Sequence, residues 1–233
     1  MFFLKYVICV LLSLNHINTC VGFNMAFNRR TILKSGLLAS SSLNLSNNIK
    51  LGQEEEYEGK IGRTENSIYL TGSLTDESCW GLTESLLGYK SQLLDNDNRF
   101  NNINLYIQSP GGSLLPTLAV VDEIRTLEIP VHTYIRGYAA SAATLLSVMG
   151  EKRYMYNHSL MMIHGVKLNG HETKSLTDVK DLNDNVNLFM ETIKNIYLEN
   201  SNMTEEQLEK FFLRDKWISA SEALSYGLID EII

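Results

Sequence analysis

The chain has 233 residues, 44% of them hydrophobic, so it is long enough for one globular domain of moderate size and an N-terminal extension. Residues 1–53 hold five of the 20 Lys and Arg residues and none of the 27 Asp and Glu residues. The remainder, with 15 basic and 27 acidic residues, has a net charge of −12, which argues against binding nucleic acid by neutralising phosphates. Of the three cysteines only Cys79 lies beyond residue 53, so no disulfide is expected within the body.

The first 53 residues have the composition of a two-part targeting leader. Residues 1–20 contain an apolar run that is too short to span a bilayer and has the length of the core of a signal peptide. Residues 21–53 are basic, rich in Ser and Asn and free of acidic residues, as organelle transit peptides are. This order resembles the leader of algae whose plastids came from a secondary endosymbiosis. We therefore expect a plastid protein in which residues 54–233 form the mature body.

A second signal in the leader bears on the compartment within the plastid. Arg29 and Arg30, followed by the apolar segment 36–39, resemble a twin-arginine signal for the thylakoid lumen. The apolar part is short, and no clear Ala-x-Ala cleavage site follows it. We therefore expect the stroma rather than the lumen.

The first half of the body alternates between strand-like and helix-like segments. The strand-like segments have β-branched or alternating apolar residues, and the helix-like ones have apolar residues three and four apart. In chain order the prediction is a strand at 67–72, a helix at 75–94, a turn at 95–98, a strand at 103–107, a helix at 114–127 and a strand at 130–136. Because a strand, a helix and another strand in succession form a βαβ unit, we predict an α/β fold with a mainly parallel sheet.

The second half of the body is predicted to contain one long helix and two short ones. Residues 154–163 are extended around a central turn. Apolar residues recur over 176–196 at helical spacing, which gives an amphipathic helix of roughly six turns whose length favours contacts with a partner. Capping-box patterns at Thr204 and Ser219 predict the starts of the short helices, the second ending at Gly227.

Two adjacent glycines, Gly111 and Gly112, lie between a predicted strand and a predicted helix. Because glycine carries no side chain, the backbone N–H groups of such a turn are open to an anion or an oxyanion. The turn matches neither a dinucleotide-binding fingerprint nor a P-loop, since no further glycine follows at the right spacing and there is no Gly-Lys-Ser/Thr.

Ser141 is surrounded by small residues in the stretch 137–143, between the strand at 130–136 and a helix predicted to end at Met149. In the first turn of a helix its hydroxyl would meet free backbone N–H groups and the positive end of the helix dipole. Two interpretations fit this position: a serine that caps the helix, which is the more common case, and a nucleophile. The stretch alone does not separate them.

A serine nucleophile needs a base, and the body has four histidines. His132 lies within a predicted strand, His158 in a predicted turn and His171 in a polar loop, so each of them is expected to be structural. His164 ends a predicted strand beside a glycine, where its ring can project into a cleft. It is the strongest candidate for the base.

Five short blocks of the body form an ordered pattern. They are Ser109-Pro110-Gly111-Gly112-Ser113, Gly137-x-Ala139-Ala140-Ser141, Met162-Ile163-His164, Arg214-Asp215 and Ser219-Ala220-x-Glu222-Ala223-x-x-Tyr226-Gly227-Leu228-Ile229-Asp230. In this order and at about these spacings they resemble the ClpP family, the proteolytic subunits of the Clp protease, over roughly residues 67–233. Five ordered blocks are far more specific than any single motif.

The resemblance implies a fold and a site. The fold is the α/β ClpP/crotonase fold, a spiral of ββα units with a long handle helix near 173–199. The implied catalytic triad is Ser141, His164 and Asp215, and the implied oxyanion hole is formed by the backbone N–H groups of Gly112 and Ala142. On this basis we expect a serine endopeptidase that has no cofactor of its own.

The resemblance also implies partners. In the ClpP family, seven-membered rings stack face to face into a hollow barrel, and a AAA+ ATPase uses ATP to unfold proteins into it. We therefore expect self or paralogous subunits in stacked rings, a Clp ATPase and unfolded protein substrates.

The chain departs from the family pattern at several places. His164-Gly165-Val166 replaces His-Gln-Pro, Leu213 replaces an acidic residue, and residues 54–66 lack the usual N-terminal segment. These departures keep open a non-catalytic structural or regulatory subunit of a mixed ring, and the twin-arginine segment keeps open an ATP-independent peptidase of the lumen. Crotonase-type acyl-CoA chemistry shares the fold but does not use this Ser/His/Asp set, so it is the least favoured alternative.

Overall fold

The computed structural model describes residues 59–94, 101–167 and 175–233. The predicted leader, the turn predicted at 95–98 and His171 lie outside these residues, so those interpretations stay predictions. None of the helices in the described ranges is long and apolar enough to cross a membrane.

The described residues form eight strands and six helices. The strands are β1 (Lys60–Thr64), β2 (Ser67–Thr71), β3 (Ile103–Ser109), β4 (Val131–Ala140), β5 (Lys152–Met155), β6 (Leu160–Ile163), β7 (Lys216–Ser219) and β8 (Glu231–Ile232). The helices are α1 (Asp76–Leu94), α2 (Leu114–Thr126), α3 (Ala142–Val148), α4 (Leu176–Asn200), α5 (Glu205–Phe212) and α6 (Ala220–Ser225).

The main path of the sheet has the strand order β1-β2-β3-β4-β5-β8. All neighbours in this path are parallel except β1 and β2, so the predicted mainly parallel α/β architecture is confirmed. Because side chains alternate along a strand, one face of the sheet is apolar, and its Ile68, Leu105 and Ile135 are at most 1% exposed. Apolar residues of α1, α2 and α3 belong to the same core.

Strand β4 is longer than predicted, and its two halves have different partners on one side. Residues 132–135 pair with β5, whereas residues 138–140 pair with β6, which pairs antiparallel with β7. The sequence predicts an end at Arg136 because the Gly and Ala residues that follow have low strand propensity. Pairing with β3 and β6 carries the strand on to Ala140. This extension places the end of β4 beside β6 and β7.

Both predicted capping boxes are confirmed. The Thr204 hydroxyl accepts from the N–H of Gln207, whose side-chain oxygen accepts from the N–H of Thr204. Ser219 and Glu222 make the same reciprocal pair at the start of α6. The chain leaves α6 through Gly227, whose φ of +65° favours glycine.

Candidate active site

Three polar residues lie at neighbouring strand ends. Ser141 follows β4, His164 follows β6, and Asp215 precedes β7. Strand β6 lies between the other two, with Met162 opposite Ala140 of β4. Because the strands are neighbours in register, their polar ends meet in one place.

The backbone of Ser141 adopts a conformation that is costly for a residue with a side chain. Its φ is +53° and its ψ is −130°, outside the helical and strand regions. Its N–H donates to the carbonyl of Met162 at 2.8 Å, and its carbonyl accepts from the Thr144 hydroxyl at 2.5 Å. The Thr144 hydroxyl also lies 2.6 Å from the hydroxyl of Tyr197 in α4. These hydrogen bonds hold the sharp turn between β4 and α3.

Ser141 occupies the cap position of α3, but its side chain makes no capping hydrogen bond. Its Oγ instead lies 2.7 Å from Nε2 of His164. The interpretation of Ser141 as only a helix cap is therefore wrong, because the hydroxyl is engaged by the histidine rather than by the helix.

His164 connects this hydroxyl to a carboxylate. Its Nδ1 lies 2.9 Å from Oδ1 of Asp215. The His164 side chain is 13% exposed and that of Asp215 is 51% exposed, so the imidazole is shielded while the carboxylate reaches solvent. A serine, an imidazole and a carboxylate connected in this order can move a proton off the hydroxyl.

Lys167 contacts the same carboxylate and is absent from the predicted site residues. Its Nζ lies 2.6 Å from Oδ2 of Asp215. This hydrogen bond is the main cause that holds the pKa of Asp215 below its usual range; burial opposes it, and the contact with His164 adds to it. No sequence pattern marks Lys167, because the segment after His164 is irregular and an isolated lysine there fits a solvated surface equally well.

The segment after His164 is fixed by α4 and α5. The N–H of Gly165 donates to the carbonyl of Phe212 at 3.2 Å, and the N–H of Val166 donates to the thioether sulfur of Met190 at 3.2 Å. A Cβ added to Gly165 would lie only 3.0 Å from the Phe212 carbonyl oxygen. This close packing determines where the backbone between His164 and Lys167 runs.

The Gly-Gly turn lies directly against the loop that carries Ser141. The φ angles of Gly111 and Gly112 are +92° and +151°. A Cβ added to Gly111 would lie 2.8 Å from Cβ of Ser141 and 2.9 Å from the backbone nitrogen of Ala142. A Cβ added to Gly112 would lie 2.1 Å from the carbonyl oxygen of Leu74. Both positions therefore require glycine.

The backbone N–H groups of Ala142 and Gly112 are not used by the elements next to them. Ala142 is the first residue of α3, where an N–H has no partner within the helix. Gly112 forms a parallel bridge with Leu74 in which its two chain neighbours make the hydrogen bonds, so its own N–H points away from Leu74. The structure thus places all five residues predicted for the site in one region.

The other described histidines lie elsewhere. His132 is at the opposite end of β4 from Ser141 and packs beside the Tyr154 ring, with 6.3 Å between ring centroids. His158 is exposed in the turn between β5 and β6. In the described part of the chain, no group of three or more His, Cys, Asp or Glu side chains is placed to hold a metal ion.

A connected serine, histidine and aspartate is the arrangement of a serine hydrolase. The family model of the Clp protease matches residues 57–233 of this chain. The ATP-dependent Clp protease proteolytic subunit of Streptococcus sanguinis is 33% identical over 168 residues, which are 71% of this chain and 83% of that protein. Proteins of the same name from Streptococcus pneumoniae and Lactococcus lactis are 33% and 32% identical over 71% of this chain, and the match covers 83% and 82% of them.

The chain belongs to the Clp protease family. It is a serine-type endopeptidase subunit of the Clp type, as predicted. The predicted ClpP-type α/β fold is confirmed as well, and the long helix α4 occupies the place of the predicted handle helix.

Proposed function

We propose that Ser141 is the nucleophile of this peptidase, that His164 is its general base and that Asp215 orients the imidazole. The supporting observation is the 2.7 Å contact between Ser141 Oγ and His164 Nε2. As the hydroxyl attacks the carbonyl carbon of a peptide bond, His164 takes its proton and then gives that proton to the leaving amine. Asp215 favours the required tautomer and stabilises the imidazolium. Water then hydrolyses the acyl-enzyme with His164 again as the base.

The N–H groups of Gly112 and Ala142 complete this proposal as donors to the oxyanion of the tetrahedral intermediate. The close approach of Gly111 to Ser141 and Ala142 supports it, since Gly111 directly precedes Gly112 in the chain. Fixed backbone donors are effective here because they need no reorganisation when the charge develops.

The test is labelling of the purified protein with a fluorophosphonate, followed by peptide mapping and a native mass measurement on the same sample. We expect modification of Ser141 in a particle of many subunits. An assembled particle that resists labelling would contradict the catalytic assignment and favour a structural subunit of a mixed ring.

We further propose that the subunit assembles with itself or with paralogues into stacked, seven-membered rings and receives unfolded proteins from a AAA+ ATPase, which would consume the ATP. The relatives are named as subunits of an ATP-dependent protease. Helix α4 also has large apolar side chains in solvent, with Leu176, Val179 and Leu188 exposed by 91%, 47% and 63%. Degradation of an unfolded protein that requires both ATP and a Clp ATPase would support this assembly, whereas ATP-independent degradation would favour the lumenal alternative.

We propose a plastid location, in the stroma, on the composition of residues 1–53. A fusion of this segment to a fluorescent protein, imaged in an alga with a secondary plastid, tests the location. Fluorescence confined to the lumen would instead support the twin-arginine interpretation.

A further inference from the structure

We propose that Lys167 is a positioning residue of this active site: its ammonium group holds one oxygen of Asp215 so that the other oxygen stays on the imidazole of His164. This inference rests on the proposed role of the triad and adds a fourth residue to it.

The two contacts use different oxygens of one carboxylate. Oδ1 accepts from Nδ1 of His164 at 2.9 Å, and Oδ2 accepts from Nζ of Lys167 at 2.6 Å. Because the contacts exist together, Lys167 does not compete with the histidine for the same atom. A carboxylate fixed at both oxygens has lost the freedom to rotate away from the imidazole.

Asp215 needs such a second contact because it lies at the outer end of the triad. Its side chain is 51% exposed, and an exposed carboxylate is readily drawn into water. Among the hydrogen bonds of the described residues, its carboxylate oxygens accept only from His164 and Lys167. Small errors in the orientation of a catalytic group are costly, so a residue that restricts rotation of this carboxylate supports the rate.

The body of the protein fixes the backbone that carries Lys167. Gly165 is bonded to Phe212 of α5, and Val166 is bonded to Met190 of α4. The Lys167 side chain is 57% exposed, yet it extends from a constrained backbone position and reaches the carboxylate of Asp215. Helices α4 and α5 thus fix the backbone of this short segment, and its Lys167 in turn orients Asp215.

The charged groups around Asp215 identify Lys167 as its cationic partner. In the described ranges, His164 and Lys167 are the charged or titratable groups that contact it. The ammonium of the neighbouring Lys216 lies 4.9 Å from the centroid of the Phe211 ring and 3.8 Å from Glu222, so it is engaged elsewhere. Lys167 is therefore the cation whose removal leaves His164 as the one charged or titratable contact of this carboxylate among the described residues.

The test compares Lys167→Met, Lys167→Arg and the control Lys210→Met. Lys210 pairs with Glu206 on the exposed surface of α5, so its replacement removes the same charge and the same kind of ion pair away from the site. For the assembled protein with a fluorogenic peptide, we expect Lys167→Met to lower kcat about two- to fivefold with KM unchanged. We expect Lys167→Arg to restore most of kcat and Lys210→Met to behave like the original protein.

Labelling of Ser141 by a fluorophosphonate is measured in parallel and is expected to slow by the same factor in Lys167→Met. The positioning role would be overturned by a Lys167→Met variant whose kcat matches or exceeds the original, or in which only KM changes. It would also be overturned if kcat of Lys167→Arg were no higher than that of Lys167→Met. If Lys167→Met changes the native mass, Lys167→Gln is held to the same criteria. A protein that fails to label at Ser141 before any substitution would instead overturn the triad itself.

Discussion

Two regions of this molecule use the same pair of residue types in opposite ways. Near the C-terminus, Ser219 precedes α6 and Asp230 contacts a cation, Arg153. At the active site, Ser141 precedes α3 and Asp215 contacts a cation, Lys167. Each region therefore has a serine directly before a helix and an aspartate paired with a cationic side chain.

In the C-terminal region the side chains of Ser219 and Asp230 both accept hydrogen bonds from backbone N–H groups. Ser219 has a φ of −76°, and its hydroxyl accepts from the N–H of Glu222. Asp230 accepts from the backbone N–H of Arg153 at 2.8 Å and from its guanidinium at 2.5 and 3.1 Å. The guanidinium also donates to the carbonyls of Asn200 and Gly227.

At the active site both side chains face an imidazole instead. The φ of +53° at Ser141 removes its hydroxyl from the helix and directs it to His164, and Asp215 contacts the other ring nitrogen. Residue type and helix position therefore do not determine a serine's role. The backbone conformation, imposed by the surrounding hydrogen bonds, decides it.

The largest effect should come from Ser141→Ala, with Ser219→Ala as its matched control. Removal of the proposed nucleophile should lower kcat for a fluorogenic peptide by a factor on the order of 10⁶. Ser219→Ala should leave kcat unchanged, because its hydroxyl serves only the helix. Comparable loss in both variants at unchanged native mass would remove the distinction between the two regions.

The next effect separates the two aspartates. Asp215→Asn should lower kcat by a factor on the order of 10⁴, because a neutral amide no longer selects the required tautomer of His164. Asp230→Asn should leave kcat within about twofold, since Asp230 bonds to Arg153 rather than to the triad. Steady-state kinetics of both variants at one pH decides this, and an active Asp215→Asn protein would mean that another residue orients His164.

A smaller loss is expected from Gly111→Ala, with Gly62→Ala as the control. The added methyl would lie 2.6 Å from the carbonyl of Ala140 and 2.8 Å from Cβ of Ser141, so the nucleophile loop must shift. A displacement of this kind should lower kcat/KM about a hundredfold. The same change at Gly62 meets nothing closer than 3.7 Å and should have no effect on activity. Full activity of Gly111→Ala would show that the site tolerates movement of this turn.

Substitutions at the two serines should change the free energy of unfolding of the protein in opposite directions. Ser141→Gly should raise the free energy of unfolding by about 1 kcal/mol, because glycine adopts a positive φ without the cost of a side chain. Ser219→Ala should lower it by about 1 kcal/mol through loss of the cap. Chemical denaturation at fixed protein concentration measures both, and a destabilised Ser141→Gly protein would argue against strain at Ser141.

The last prediction concerns the pH dependence of the contribution that Asp230 makes to stability. The hydrogen bonds from Arg153 lower the pKa of Asp230, so the ionised form is favoured in the folded state. Its contribution is present above the unfolded-state pKa of about 4 and disappears as the pH falls through the lower folded-state value. At pH 7 the free energy of unfolding of the original protein should exceed that of Asp230→Asn by about 1 kcal/mol. The difference is this small because the Asp230 side chain is 43% exposed. Denaturation curves should show this gap narrowing below about pH 4; a gap that widens on acidification would contradict it.

Much of the fold follows from local sequence patterns. The capping boxes at Thr204 and Ser219 and the strands at 67–72 and 103–107 are visible because caps and alternation are local properties. Strands β1, β7 and β8 are short, largely exposed and stabilised by pairing with a neighbour, so no periodicity predicts them. The extension of β4 to Ala140 depends on β3 and β6 in the same way.

The sequence predicted which residues the structure brings together, but not how they are arranged. The resemblance of five ordered blocks to the ClpP family implied Ser141, His164 and Asp215, whereas the stretch 137–143 alone favoured a cap at Ser141. The turn at Ser141 depends on hydrogen bonds to Met162 and Thr144, and a strained φ has no sequence signature among small residues. The contact of Lys167 with Asp215 could not be predicted, because it depends on the path of the chain after His164.

The most direct test of Ser141 as the nucleophile is to trap the acyl-enzyme. A slowly hydrolysed ester is mixed with the assembled protein, the reaction is quenched in acid, and intact mass and peptide mapping locate the acyl group. We predict one acyl group on Ser141, absent from Ser141→Ala and slow to form in Asp215→Asn. Hydrolysis of the ester with the acyl group on another serine, such as Ser219, or with no covalent adduct on any residue would contradict Ser141 as the nucleophile.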